Sequence, residues 1–68
     1  MEFKITVNSN NQQYIKNKIK AISNSYNEDF LLPNIVFVDI SKNNYSDLTN
    51  IDKIKIEKEN YGYLMAER

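Results

Sequence analysis

The chain has 68 residues, nine of them basic and nine acidic, and it contains neither cysteine nor histidine. A chain of this length forms one domain, residues 1–68, that buries only about 60% of its unfolded surface. No disulfide can staple it, and with carboxylates as the remaining side-chain metal ligands a structural zinc site is excluded. The net charge of zero excludes the strongly basic footprint of a dedicated nucleic-acid binder. No apolar run approaches the roughly 18 residues that cross a membrane, and no signal-peptide pattern is present, so a cytoplasmic location is expected.

Residues 3–7 alternate, with Phe3, Ile5 and Val7 on one face and Lys4 and Thr6 on the other, which predicts a strand half covered by a core. The run Asn8-Ser9-Asn10-Asn11 then offers several oxygens that can cap a helix, and Ser9 with Gln12 has capping-box spacing. In the helix that follows, Ile15, Ile19, Ile22 and Tyr26 fall in one stripe, while Lys16, Asn17 and Lys20 fall opposite. Over residues 23–27, Ser and Asn compete for backbone hydrogen bonds, and the helix is expected to fray there. Residues 28–33 read as a connector in which Pro33 biases Leu32 towards extended geometry.

The densest apolar run is Ile35-Val36-Phe37-Val38-Asp39-Ile40. Side chains alternate along a strand, so Val36, Val38 and Ile40 share one face and Ile35, Phe37 and Asp39 share the other. Apolar residues on both faces predict a central strand. Turn formers follow at 41–44, and residues 45–50 fit a helical turn capped by Ser46. Alternation resumes at Ile54-Lys55-Ile56, and Tyr61-Gly62-Tyr63-Leu64 after Lys58-Glu59-Asn60 completes a hairpin pattern. Its register depends on loop length: a slip of one residue moves Tyr61 and Tyr63 to the opposite face.

The predicted class is α+β, a single helix packed on a small, mainly antiparallel sheet in the order β-α-β-β-β. If the first two strands lie side by side they are expected to be parallel, joined by a right-handed crossover through the helix. One helix covers one sheet face, and Val36, Val38 and Ile40 are the better candidates for it. Ile35 and Phe37 then lie either beneath residues 30–32 or the segment around Tyr45 and Leu48, or against a second protein surface.

Asp39 beside Phe37 has no second placed group with which to act as an acid or base. Glu28-Asp29 and the pair Asp47 and Asp52 lack the spacing of a calcium loop. Lys16 and Lys20, or Lys53 and Lys55, can meet phosphates but are too few for tight binding. Charge is unevenly spread: Lys4, Lys16, Lys18 and Lys20 oppose Glu2 in residues 1–22, whereas five acidic residues oppose Lys42 in residues 23–52. Such asymmetry can orient a partner.

Tyr61-Gly62-Tyr63-Leu64 resembles the centre of the RNP1 motif of RNA-recognition domains, which runs aromatic, small, aromatic, aliphatic. The resemblance covers about five residues, with Glu59 at the motif's basic position, and implies that Tyr61 and Tyr63 stack on bases. As ordinary strand residues, the same tyrosines would be cross-strand partners of Ile54 and Ile56.

No nucleophile-base pair, phosphate loop or cofactor motif is present, and the expected function is a non-catalytic protein-binding module without cofactor or metal. Its anchors are Ile35, Phe37, Tyr61 and Tyr63, and its partner is a larger host protein or a second copy of the chain. Abundant Asn, Ile and Lys with a single Arg suggests an AT-rich genome, and so a phage or other mobile element whose product inhibits a host protein by steric occupation. The alternative is a minimal RNA- or single-stranded-DNA-binding domain using Lys53, Lys55, Tyr61 and Tyr63.

Overall fold

A computed structural model describes residues 1–58. The elements are β1 (Glu2–Val7), α1 (Gln12–Ala21), β2 (Ser25–Glu28), β3 (Ile35–Asp39), a 3-10 turn (Lys42–Asn44), α2 (Tyr45–Thr49) and β4 (Ile54–Lys58). The order β-α-β-β-β stands as expected, with a second short helix between the last two strands. The strands form one four-stranded sheet in the spatial order β2-β3-β1-β4, and each neighbouring pair is antiparallel.

The predicted alternation in β1 and β3 places Phe3, Ile5 and Val7 beside Val36, Val38 and Ile40 in one buried cluster. Ile15 and Ile19 of α1 and Leu48 of α2 close over them, and Ile54 and Ile56 pack at the margin. Fully burying an aliphatic or aromatic side chain of this size contributes about 1.5–3 kcal/mol. Both helices therefore stack on the same face of the sheet, which is what an amphipathic α1 and a half-apolar β1 require.

Three expectations are corrected. First, residues 25–28 are not a frayed helix end but the strand β2, so Tyr26 leaves the helical stripe. α1 stops because the Ile22 and Ser23 N–H groups donate to Ile19 and Lys20 carbonyls, while Ser23 Oγ donates to the Ile19 carbonyl at 2.6 Å. The chain then docks on β3, beginning with Asn24 N–H to Asp39 O at 2.7 Å. Second, β1 and β3 are antiparallel, because the β2-β3 hairpin reverses the chain once more before it reaches β1. Third, Lys16 does not lie on the outer face of α1: it is only 6% exposed, and its ammonium is 3.6 Å from Glu28 Oε1. β2 lies on that side of α1, with its Glu28 at the tip of the lysine.

Smaller details also differ. Asn11, not Ser9, is the residue before α1, and its N–H donates to Ser9 Oγ at 3.0 Å. α2 is entered from Asn44 through the 3-10 turn rather than capped by Ser46. β4 pairs with β1, with Ile56 opposite Ile5 and Ile54 opposite Val7. The predicted second arm of the hairpin lies outside the described residues.

Candidate interaction surface

The strand registers sort every side chain of the sheet onto one of two faces. On the face away from the helices, one row across the sheet reads Lys55, Thr6, Ile35, the next Glu57, Lys4, Phe37, Asn27, and the third Glu2, Asp39, Ser25. Ile35 and Phe37 thus sit in the middle of a mostly polar face, half-buried by their neighbours. Among the described residues no element packs across them: Leu48 joins the core on the helix side, and Tyr45 stacks on Phe3 with ring centroids 5.3 Å apart. Of the two coverings expected from sequence, the segment around Tyr45 and Leu48 serves the opposite face.

Residues 30–32 do not serve as a cover either. Phe30 is 96% exposed, Leu31 78% and Leu32 50%. They form the tip of the β2-β3 hairpin, and local hydrogen bonds explain its shape. The Asp29 carboxylate accepts from the Leu31 N–H at 3.0 Å and the Leu32 N–H at 2.8 Å, an Asx-type turn. Asp29 N–H donates to Ile35 O at 2.9 Å, and Ile35 N–H donates to Leu32 O at 3.1 Å. With Pro33 fixing its own φ, the loop is braced at both ends while its three large apolar side chains face solvent.

Several charged residues, most of those on the open sheet face among them, are matched by ion pairs. Glu57 lies 3.8 Å from Lys4 Nζ and 3.7 Å from Lys55 Nζ. Asp39 accepts from the Met1 ammonium at 2.9 Å. Glu28 receives both Lys16 and the Tyr26 hydroxyl, the latter at 3.1 Å. The Tyr26 phenol is pushed up to about 12, by burial first and then by its hydrogen bond to Glu28 and the charge of that carboxylate. Neither half of the Glu28-Asp29 pair is thus left free for a cation.

Of the residues expected to act, Ile35 and Phe37 share the open sheet face with Lys55. Lys53 stands apart in the turn before β4, with a left-handed backbone (φ 65°) whose carbonyl accepts from Asn8 N–H at 2.7 Å. Tyr61 and Tyr63 lie outside the described residues. Sequence reasoning passed over Phe30, Leu31 and Leu32 as a connector. Their signal was present: three large apolar residues held between an acidic pair and a proline, in phase with neither a helix nor a strand.

A concavity of about 480 Å³ opens on the helix side between Met1, Phe3, Lys42, Tyr45, Ser46 and Lys58. Its walls are the aromatic pair and two lysine stems, with no carboxylate, hydroxyl and base converging as an active site needs. Among the described residues no cluster of three or more metal-ligating side chains occurs, and no helix is long and apolar enough to cross a membrane. Comparison with known proteins finds no matching family model, curated protein or solved structure.

Proposed function

We propose that the chain is a small non-catalytic protein-binding module that occupies a surface of a larger protein, with the hairpin tip as its anchor. One observation carries this reading. Phe30, Leu31, Leu32, Ile35 and Phe37 fall within eight consecutive positions, and none belongs to the core cluster. A domain this small that leaves such residues outside its core forgoes stabilisation of about 1.5–3 kcal/mol for each side chain it could have buried. Contiguous exposed apolar residues on small domains mark contact sites.

The Asx turn adds a second advantage, because a loop already held in shape loses little freedom on binding. Affinity is then concentrated in a few aromatic and aliphatic anchors, with Ile35 and Phe37 extending the contact onto the sheet. The AT-rich composition fits a phage or other mobile element, which would place the blocked target in the host cell.

The nucleic-acid alternative draws less support. Lys4 and Lys55, the two lysines of the open sheet face, both lie against Glu57, which lowers the positive charge that this face offers to phosphates.

The test is a pull-down from lysate of the source cells with the wild-type chain and with a Phe30→Ser, Leu31→Ser variant. A protein retained by the wild type and lost with the variant, at unchanged thermal midpoint, is the expected result. Equal retention by both chains rejects the tip as anchor. Salt-sensitive retention of a labelled oligonucleotide, with no protein captured, replaces this reading with the alternative.

A further inference from the structure

β2 is the outer strand of the sheet among the described residues, bonded to β3 alone. The bond from Asp29 N–H to Ile35 O fixes the phase of that pairing. In an antiparallel pair, alternate residues turn their backbone groups towards the neighbour. Ser25, Asn27 and Asp29 therefore face β3, while the N–H and C=O groups of Tyr26 and Glu28 point away from the sheet. Asn24 is also turned inwards, its N–H engaged by Asp39 O. The edge thus presents two donors and two acceptors, in a strand free of the proline and lysine that usually blunt such an edge.

These four groups are complementary to themselves. Two β2 strands run antiparallel about a two-fold axis can oppose outward-facing residues in three ways. Tyr26 opposite the partner's Tyr26 sets Glu28 against the partner's Asn24, whose N–H is already taken. Glu28 opposite the partner's Glu28 brings like charges face to face, which is destabilising. Tyr26 opposite the partner's Glu28 pairs all four groups of each strand, places Asn27 against the partner's Asn27 on the axis, and keeps the carboxylates apart.

We infer that β2 pairs with β2 of a second copy in this register, joining two sheets into one. The contact is small and belongs to the weak class of interfaces. Its consequence is that the two open faces become continuous, with both Ile35 and Phe37 pairs on one side. This dimer does not depend on the larger partner proposed above.

The absence of cysteine makes the register directly testable. Facing residues at a non-hydrogen-bonded antiparallel position have Cα atoms about 4.5 Å apart, within disulfide range. Asn27→Cys under a mild thiol oxidant is expected to give a covalent dimer, whereas Asn43→Cys, exposed on the 3-10 turn, is not. Asn27→Lys sets two ammonium groups across the axis and is expected to weaken the dimer by about tenfold or more, read by sedimentation, with the circular dichroism of the monomer unchanged. A wild-type chain that sediments as a monomer up to about 1 mM overturns the inference. So does a dimer that neither links faster through Asn27→Cys than through Asn43→Cys nor responds to Asn27→Lys.

Discussion

The ammonium of Lys16 lies 3.6 Å from the carboxylate of Glu28, tying the middle of α1 to the outermost strand β2. The two partners are unequal. The lysine side chain is 8% exposed and the glutamate 48%, so the stem of Lys16 is packed while the pair itself meets water at one end. A long stem buried under a charged tip acts largely as an apolar residue, and an ion pair with one wet partner contributes at most about 1 kcal/mol. Lys16→Ala is therefore expected to cost about 1–2 kcal/mol in urea denaturation, and Lys16→Met, which keeps the volume, less than about 1 kcal/mol. Glu28→Gln should resemble the milder change. If Lys16→Met proves as damaging as Lys16→Ala, the charge rather than the stem holds α1 to β2.

Tyr26 next to this pair makes stability depend on pH at the alkaline end. Burial and the Glu28 carboxylate favour the neutral phenol and raise it to about 12 in the folded chain, whereas an unfolded tyrosine titrates near pH 10. Because the folded value is the higher one, the contribution of the neutral phenol is complete below about pH 10 and is lost as pH rises towards 12. Tyr26→Phe removes the hydroxyl and with it about 1 kcal/mol at neutral pH. The advantage of wild type over Tyr26→Phe is expected to shrink above pH 10. The two proteins differ only in that hydroxyl, so the difference between their thermal midpoints isolates the tyrosine. A constant difference from pH 8 to pH 12 rejects this account.

Much of the core was legible because its signals are periodic. The alternation of Phe3, Ile5 and Val7, the spacing of Ile15 and Ile19, and the two-sided apolar run around Phe37 each predict the face that the structure buries or leaves open. β2 was not legible, since Ser25-Tyr26-Asn27-Glu28 contains one good strand former. It is a strand because β3 has a free edge to offer, and tertiary pairing outweighs weak local preference. The burial of Lys16 follows from the same omission: with β2 absent from the sequence reading, that side of α1 has no neighbour. Leu48 reaches the core through a five-residue helix, too short for periodicity to reveal. The tip at Phe30 was hidden by the opposite error. Consecutive large apolar residues suggest burial, and only the turn chemistry of Asp29 shows why they stay outside.

Lys53 offers a separate check on the backbone. Its φ of 65° lies in the left-handed region, where a residue with a Cβ is disfavoured by roughly 1 kcal/mol. The conformation is imposed by the entry into β4: the Lys53 carbonyl must turn to accept from Asn8 N–H at 2.7 Å, just before the β1-β4 ladder begins at the Val7 and Ile54 pair. The side chain is exposed and makes no ion pair within 4 Å among the described residues, so its removal costs little. Lys53→Gly relieves the clash and is expected to stabilise the fold by up to about 1 kcal/mol, a gain partly offset by the greater freedom of glycine in the unfolded chain. Lys53→Ala keeps the Cβ and should be nearly neutral, and Lys53→Val should be destabilising because branching aggravates the contact. The informative measurement is the order of urea midpoints, Gly above Lys and Ala, with Val lowest. A glycine variant no more stable than the alanine one means that the turn is not left-handed in solution.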